Sequence, residues 1–195
     1  MPFLYARDPF LAVQHLLCSA WLDGPMEASS VACEGWAIAL VGLAFVLSRE
    51  RSLRVALRVA LALGAALILA GIAVQVLKRV VDVPRPLAVF GPAAVHVLLQ
   101  PLRRQAFPSG HSASAGALAA FALLRYRRAA WPLLLLAAAG GISRVYVGAH
   151  WVLDVIAGWA VGAAAAVIAA RGWERLRAGE TAIAPVTAGP PAAAE

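Results

Sequence analysis

Three short polar clusters interrupt an otherwise apolar chain, and their residue types suit one chemistry. Lys78 to Pro86 reads KRVVDVPRP, Pro108 to His111 reads PSGH, and Ser143 to Asp154 reads SRVYVGAHWVLD. His150 and Asp154 are four apart, so on a helix they share a face and the carboxylate can hold one imidazole nitrogen. Such a bond fixes the tautomer and leaves the other nitrogen free as a nucleophile. Asp154 within an apolar helix costs about 2.5–3.5 kcal/mol on insertion scales unless it has a partner. Lys78, Arg85 and Arg144 are three cations with only Asp82 as a nearby carboxylate, a surplus that suits a multiply charged anion. A phosphate fits. Arginine forks take its oxygens in pairs, lysine adds a point charge, and a helix starting at Ser109-Gly110 offers backbone N–H donors. His111, one residue on, could protonate a leaving oxygen.

Each cluster alone has a plainer reading. Lys78 and Arg85 could be interface anchors, Ser109 an ordinary helix cap, and His150 with Asp154 a satisfied pair without chemical duty. Their combination argues for a site, provided the chain brings them together.

The elements that must do so are membrane helices. Hydrophobic side chains make up 62% of the 195 residues, and the mean hydropathy is +0.79, well above soluble domains at roughly 45–50% apolar. The spacing predicts spans at about Val31 to Leu47, Leu53 to Leu77, Ser109 to Leu124, Ala130 to Val147 and Trp151 to Ala170. Pro9 to Leu22 is short and carries Gln14 and His15, which favours an interfacial helix and leaves a sixth span open. The fold class is therefore all-α, a polytopic membrane helix bundle with five to six transmembrane helices. Residues 1–30 form an interfacial helix or first span, 31–176 the integral domain, and 177–195 a disordered Pro- and Ala-rich tail. The N-terminus lacks the pattern of a signal peptide, so the first span would direct insertion.

Charge sets the orientation. Of 17 basic residues, Lys78 is the one lysine. The clusters Arg49 to Arg54, Arg125 to Arg128 and Arg171 to Arg177 alternate with the connections that carry the polar residues. The positive-inside rule places the arginine clusters in the cytoplasm and the connections Lys78 to Phe107 and Ser143 to His150 outside. Leu87 to Leu102, broken by Pro92 and Pro101, reads as a re-entrant or interfacial lid. The net charge of +7 does not point to nucleic acid, because no basic run is interleaved with aromatics. Cys18 and Cys33 lack metal-type spacing and read as packing residues. No cofactor and no metal are expected.

Lys78-x6-Arg85-Pro86, then Pro108-Ser109-Gly110-His111, then Ser143-Arg144-x5-His150-x3-Asp154 resembles the three-part signature of the type 2 phosphatidic acid phosphatase superfamily of membrane lipid phosphatases. All three parts match in order. The resemblance implies a six-helix-type bundle and metal-independent hydrolysis of a phosphomonoester or diphosphate through a phosphohistidine. It makes His150 the nucleophile, Asp154 its orienting group and His111 the acid. Lys78, Arg85, Ser109, Gly110 and Arg144 become phosphoryl ligands.

The chain's size resembles bacterial polyprenyl diphosphate phosphatases, which makes undecaprenyl diphosphate in the bacterial inner membrane the expected substrate. Phosphatidylglycerophosphate, phosphatidic acid and lipid A stay open as substrates, as does phosphotransfer to a lipid hydroxyl. Arg103 and Arg104 either hold a second phosphate or cap the lid. An anionic lipid transporter would use the same cations, but it needs neither an acid nor an oriented nucleophile. Gly158-x3-Gly162 permits close helix packing, by default within the bundle. Oligomeric state and lid motion are not legible.

Overall fold

The computed structural model describes Tyr5 and residues 7–183, with side chains described through residue 175. The described residues are helical, without strands. In chain order the helices are α1 (Phe10–Leu17), α2 (Ala20–Ala32), α3 (Gly35–Arg49), α4 (Leu53–Val81), α5 (Pro86–Phe90), α6 (Gly110–Tyr126), α7 (Trp131–Tyr146) and α8 (Val152–Ile183), with a 3-10 turn at Arg127–Ala130.

Length and composition qualify three runs to cross a membrane: Leu53–Phe90, Gly110–Tyr146 and Val152–Arg175, with the bent pair α2 and α3 as a fourth if it is one broken span. The run Gly110–Tyr146 reverses at Arg127, whose backbone has φ 50°. It is therefore a hairpin of α6 and α7, with 17 and 16 residues per leg. This fold-back brings His111 and Arg144, one at each end of the run, to the same cavity.

The sequence and the structure differ at the front of the chain. The expected span from Val31 to Leu47 starts later, at Gly35, because the chain turns by 74° between α2 and α3. Pro9 to Leu22 is not one interfacial helix. It breaks at Cys18-Ser19, and α1 turns inward, burying Phe10 and Gln14 completely or nearly so. The Gln14 amide donates to the carbonyls of His96, Val145 and Tyr146, and its Oε1 accepts from His96 N–H at 3.0 Å. One buried glutamine thus ties the first helix to the lid and to the end of α7. The expected lid contains only the short α5, followed by irregular chain. From 177 to 183 the chain continues α8; residues 184–195 of the expected tail lie outside the described residues.

The core explains how the bundle closes. Small residues of α6 meet small residues of α8, and a Cβ at Gly162 would lie 2.1 Å from the Ala113 carbonyl oxygen. At Gly158 it would lie 2.5 Å from that of Ser109. The Gly158-x3-Gly162 motif therefore works within the bundle, letting α8 press against the start of α6. Side chains such as Leu61, Ile68, Leu135 and Ile168 face outward and exposed, the pattern for a helix surface solvated by lipid. At the end remote from the polar clusters, Arg125 pairs with Glu50 at 2.7 Å and Tyr126 donates to the same carboxylate at 2.9 Å.

Candidate active site

A turn builds the position of His150. After α7, the amides of Ala149 and His150 both donate to the Arg144 carbonyl at 3.1 Å. The turn needs Gly148, which has φ 74° and where a Cβ would meet the His96 carbonyl oxygen at 2.6 Å. Arg144 and His150 are thereby stitched to one spot.

The cavity there has a volume of about 330 Å³ and is lined by Lys78, Arg85, Gly110, His111, Arg144 and His150, with Gly35, Gly71, Val74, Gln75, Leu102 and Ser114 completing its wall. The end of α4, the residue before α5, the start of α6, the last turn of α7 and the connection from α7 to α8 bring the polar side chains, and the start of α3 helps close the wall. Lys78, Arg85, His111, Arg144 and His150 are assembled as the sequence implied.

Each cation is placed by backbone or hydroxyl groups. Arg85 donates from Nε to the Arg104 carbonyl at 2.8 Å and from Nη1 to the Ala149 carbonyl at 2.8 Å. Nη1 also faces His150 Nε2 at 3.4 Å. Arg144 is buried and bonds Ser30 Oγ through Nη1, while its Nε has no partner among the described residues. Asp82 is occupied elsewhere, by the exposed Arg104. Among the described residues, Lys78, Arg85 and Arg144 make no ion pair. Three such cations around one cavity repel one another unless an anion enters.

The two histidines differ in depth. His150 is buried and its Nδ1 lies 3.4 Å from Asp154 Oδ2, a long contact of the kind that shortens when a substrate binds. Burial, then the charges of Arg85, Arg144 and Lys78, holds the His150 imidazole well below its usual titration range. His111 is less buried and lines the same cavity from the first turn of α6.

Asp154 is fully buried and held at both oxygens. Oδ1 accepts from the Tyr5 hydroxyl at 2.9 Å and Oδ2 from the Trp151 N–H at 3.0 Å. Trp151 precedes α8 and cannot cap it with its side chain. Asp8 does so instead, accepting from the N–H of Val152 at 3.2 Å and of Leu153 at 3.0 Å. Asp8, Tyr5, Gln14 and Ser30 were absent from the sequence-based site, and no spacing pattern marks them.

Two expected ligands stand differently. Ser109 is fully buried; its N–H donates to the Asp154 carbonyl at 3.0 Å and its Oγ accepts from Ser112. It caps α6 from behind the cavity wall, so its N–H is not offered to a phosphate. The first-turn N–H groups of Gly110 and His111 lie ahead of the first intrahelical bond, Ala113 N–H to the Ser109 carbonyl. Arg103 and Arg104 do not line the cavity. Arg104 pairs outward with Asp82, and the two backbone carbonyls accept from Arg85. Among the described residues no group of three His, Cys, Asp or Glu is arranged to hold a metal ion.

The chain is similar to known proteins in both sequence and fold. The sequence model of the PAP2 superfamily matches residues 59–178. "Undecaprenyl-diphosphatase BcrC" of Bacillus subtilis is 37% identical over 73 residues, 37% of this chain and 36% of that protein. "Lipid A 1-phosphatase" of Rhizobium johnstonii is 41% identical over 106 residues, 49% of this chain and 40% of that protein. The chain thus spans well under half the length of these curated relatives. Among solved structures, Aquifex aeolicus LpxE superposes with a TM-score of 0.69 at 25% identity, covering 83% of this chain and 92% of that one.

Proposed function

This chain belongs to the PAP2 superfamily, and on that premise we propose that it is a membrane lipid phosphatase acting through a phosphohistidine, with undecaprenyl diphosphate as its first candidate substrate. One observation carries the reading: three cations that, among the described residues, have no carboxylate partner converge on a cavity that also presents a buried His150, whose protonation is opposed by burial and by those cations, and a second histidine. A binding site alone has no use for an imidazole held between a guanidinium and a carboxylate.

In this reading the His150 Nε2 lone pair attacks phosphorus, and the bond from phosphorus to the leaving oxygen breaks. His111 gives that oxygen a proton. Lys78, Arg85, Arg144 and the first-turn N–H groups of α6 hold the phosphoryl oxygens, where charge spreads in the transition state. Asp154 orients the ring and stabilises its positive charge. Water then attacks the phosphohistidine, the P–N bond breaks, and His111 takes the water's proton. The products are a lipid alcohol or lipid monophosphate and inorganic phosphate.

A groove supports a lipid as the leaving group. Gly35 on α3 and Gly71 on α4 line the phosphate cavity. One turn further along each helix, Ala39 and Leu67 belong to an apolar groove of about 420 Å³ that continues past Leu43, Gly64, Leu61 and Leu57. The α4 stripe from Lys78 to Leu57 follows helical spacing, so a long apolar tail can lie along it with its phosphate in the cavity. The site is proposed to face the outside of a bacterial plasma membrane, with the arginine clusters on the cytoplasmic side.

The similarity to lipid A phosphatases gives the second substrate to test. Purified protein in detergent is offered undecaprenyl diphosphate, lipid A, phosphatidylglycerophosphate and phosphatidic acid, without added metal, and released phosphate is measured. The expected result is release that His150→Ala abolishes while lipid binding persists. Release from the alanine variant would overturn the nucleophile, and preference for another lipid would move the substrate but keep the mechanism.

A further inference from the structure

The N-terminal segment is placed where a catalytic machinery would be adjusted. Within it, Tyr5 is 149 residues away from Asp154 in sequence and hydrogen-bonded to it in space. Building on the His150–Asp154 reading above, we infer that Tyr5 is a positioning residue for catalysis, fixing the Asp154 carboxylate so that Oδ2 stays aimed at His150 Nδ1.

The geometry gives each Asp154 oxygen its own restraint. Trp151 N–H and His150 Nδ1 share Oδ2, at 3.0 and 3.4 Å, and among the described residues Tyr5 alone donates a side-chain bond to Oδ1. Without the hydroxyl, the carboxylate can rotate to exchange its oxygens or turn away from the ring. A fully buried Oδ1 would also lose its donor. Burial, then the Asp154 charge, pushes the Tyr5 hydroxyl far above its ordinary range, so it stays an O–H donor at any working pH.

The segment behind Tyr5 is fastened to the same helix start. Asp8 caps α8 through Val152 and Leu153, and its Oδ1 accepts from Phe10 N–H at 3.0 Å. The Phe10 ring lies 5.6 Å from that of Trp151, and Gln14 anchors α1 to Tyr146. The Tyr5 ring also leans on Trp151, centroids 5.4 Å apart. An apolar cavity of about 690 Å³ opens beside it, lined by Leu11, Val83, Val89 and Phe90 among others. Close packing therefore does not confine Tyr5 on that side, and its place is set by the ring's contact with Trp151 together with the bond to Asp154.

The test is Tyr5→Phe, which keeps the ring and removes the hydroxyl. On the lipid substrate, kcat should fall on the order of tenfold, the size of one hydrogen bond to a charged group, with KM unchanged within about twofold. In an Asp154→Ala background the same change should cost nothing further, because the residue it acts through is gone. In protein with 15N-labelled histidine rings, Tyr5→Phe should shift the His150 signals and leave those of His96 in place. A kcat within twofold of the parent with unmoved His150 signals overturns the inference, and so does an equal loss in the Asp154→Ala background. An active His150→Ala variant would instead sink the underlying mechanism. A dead His150→Ala beside a fully active Tyr5→Phe removes Tyr5 alone.

Discussion

The guanidinium of Arg85 faces His150 Nε2 at 3.4 Å, while the Asp154 carboxylate faces Nδ1 on the other side of the same ring. Arginine can only donate. Nε2 must therefore carry the lone pair, and Nδ1 the proton directed at Asp154. The two neighbours select the tautomer that a nucleophile requires before any substrate arrives.

Charge state follows from the same surroundings. Burial and then Arg85, Arg144 and Lys78 oppose a proton on His150. The unfolded chain accepts that proton near an ordinary value of about 6.5, whereas the folded chain does not. Protons thus bind the unfolded state preferentially, so this residue's contribution makes stability fall as pH drops below about 6.5. His150 ring signals should still report the neutral form at pH 5.5. A midpoint near 6.5 would show that the cations do not act on the ring. Saturating orthovanadate, an anion for the cavity, should make His150 easier to protonate.

Arg85 should not tolerate lysine. Its fork holds the carbonyls of Arg104, Gln105 and Ala149 at once, at 2.8, 3.4 and 2.8 Å. Lysine keeps the charge but not the planar set of donors. Arg85→Lys should lower kcat/KM by about 100-fold or more and lower Tm. Retention of kcat/KM within about fivefold would mean that charge alone suffices.

The chemistry was more legible than the scaffold that aims it. Lys78, Arg85, His111, Arg144, His150 and Asp154 stand out because a charge in an apolar helix needs a reason, and their spacing puts them at one end of the bundle. Ser109 was legible as a cap but not as one whose N–H is spent on the Asp154 carbonyl. That contact arises where α8 meets α6 and has no local signature. Arg103 and Arg104 could not be resolved between phosphate and cap, since the decision rests on the reach of Asp82 to Arg104. The break at Cys33-Glu34 was hidden because neither residue is a helix breaker. Tyr5 and Asp8 were invisible for a simpler reason: the contacts that tie them to Asp154 and to the start of α8 reach across more than 140 residues.

Helix contact between α6 and α8 should be sensitive to a single methyl group. At Gly162 a Cβ would stand 2.1 Å from the Ala113 carbonyl oxygen and 2.6 Å from Ala117 N, both backbone atoms that cannot swing aside. Gly162→Ala should destabilise by about 1–3 kcal/mol, the usual cost of overpacking, and depress activity by shifting His111 relative to Asp154. Gly64→Ala is the control, since nothing lies within 4 Å of its Cβ. It should leave Tm unchanged or raise it slightly through helix propensity. Equal Tm values for the two variants would mean that α6 and α8 can separate without cost.

The role of His111 can be separated from that of the cations by changing the leaving group. An acid matters in proportion to the basicity of the oxygen it protonates. A lipid alkoxide leaves poorly without a proton, whereas p-nitrophenolate leaves without help. His111→Asn keeps a polar side chain on the wall of the cavity that His150 also lines but cannot supply the proton. The variant should lose about 10²–10⁴ in kcat on a lipid phosphomonoester and less than about tenfold on p-nitrophenyl phosphate. A diphosphate substrate, whose leaving group is a phosphate with a second pKa of about 6 and so no more basic than p-nitrophenolate, should likewise lose less than about tenfold. Equal losses on all three would assign His111 to holding the phosphoryl group, because binding the transferred phosphate is common to every substrate. An unequal loss ordered by leaving-group basicity places the proton on His111.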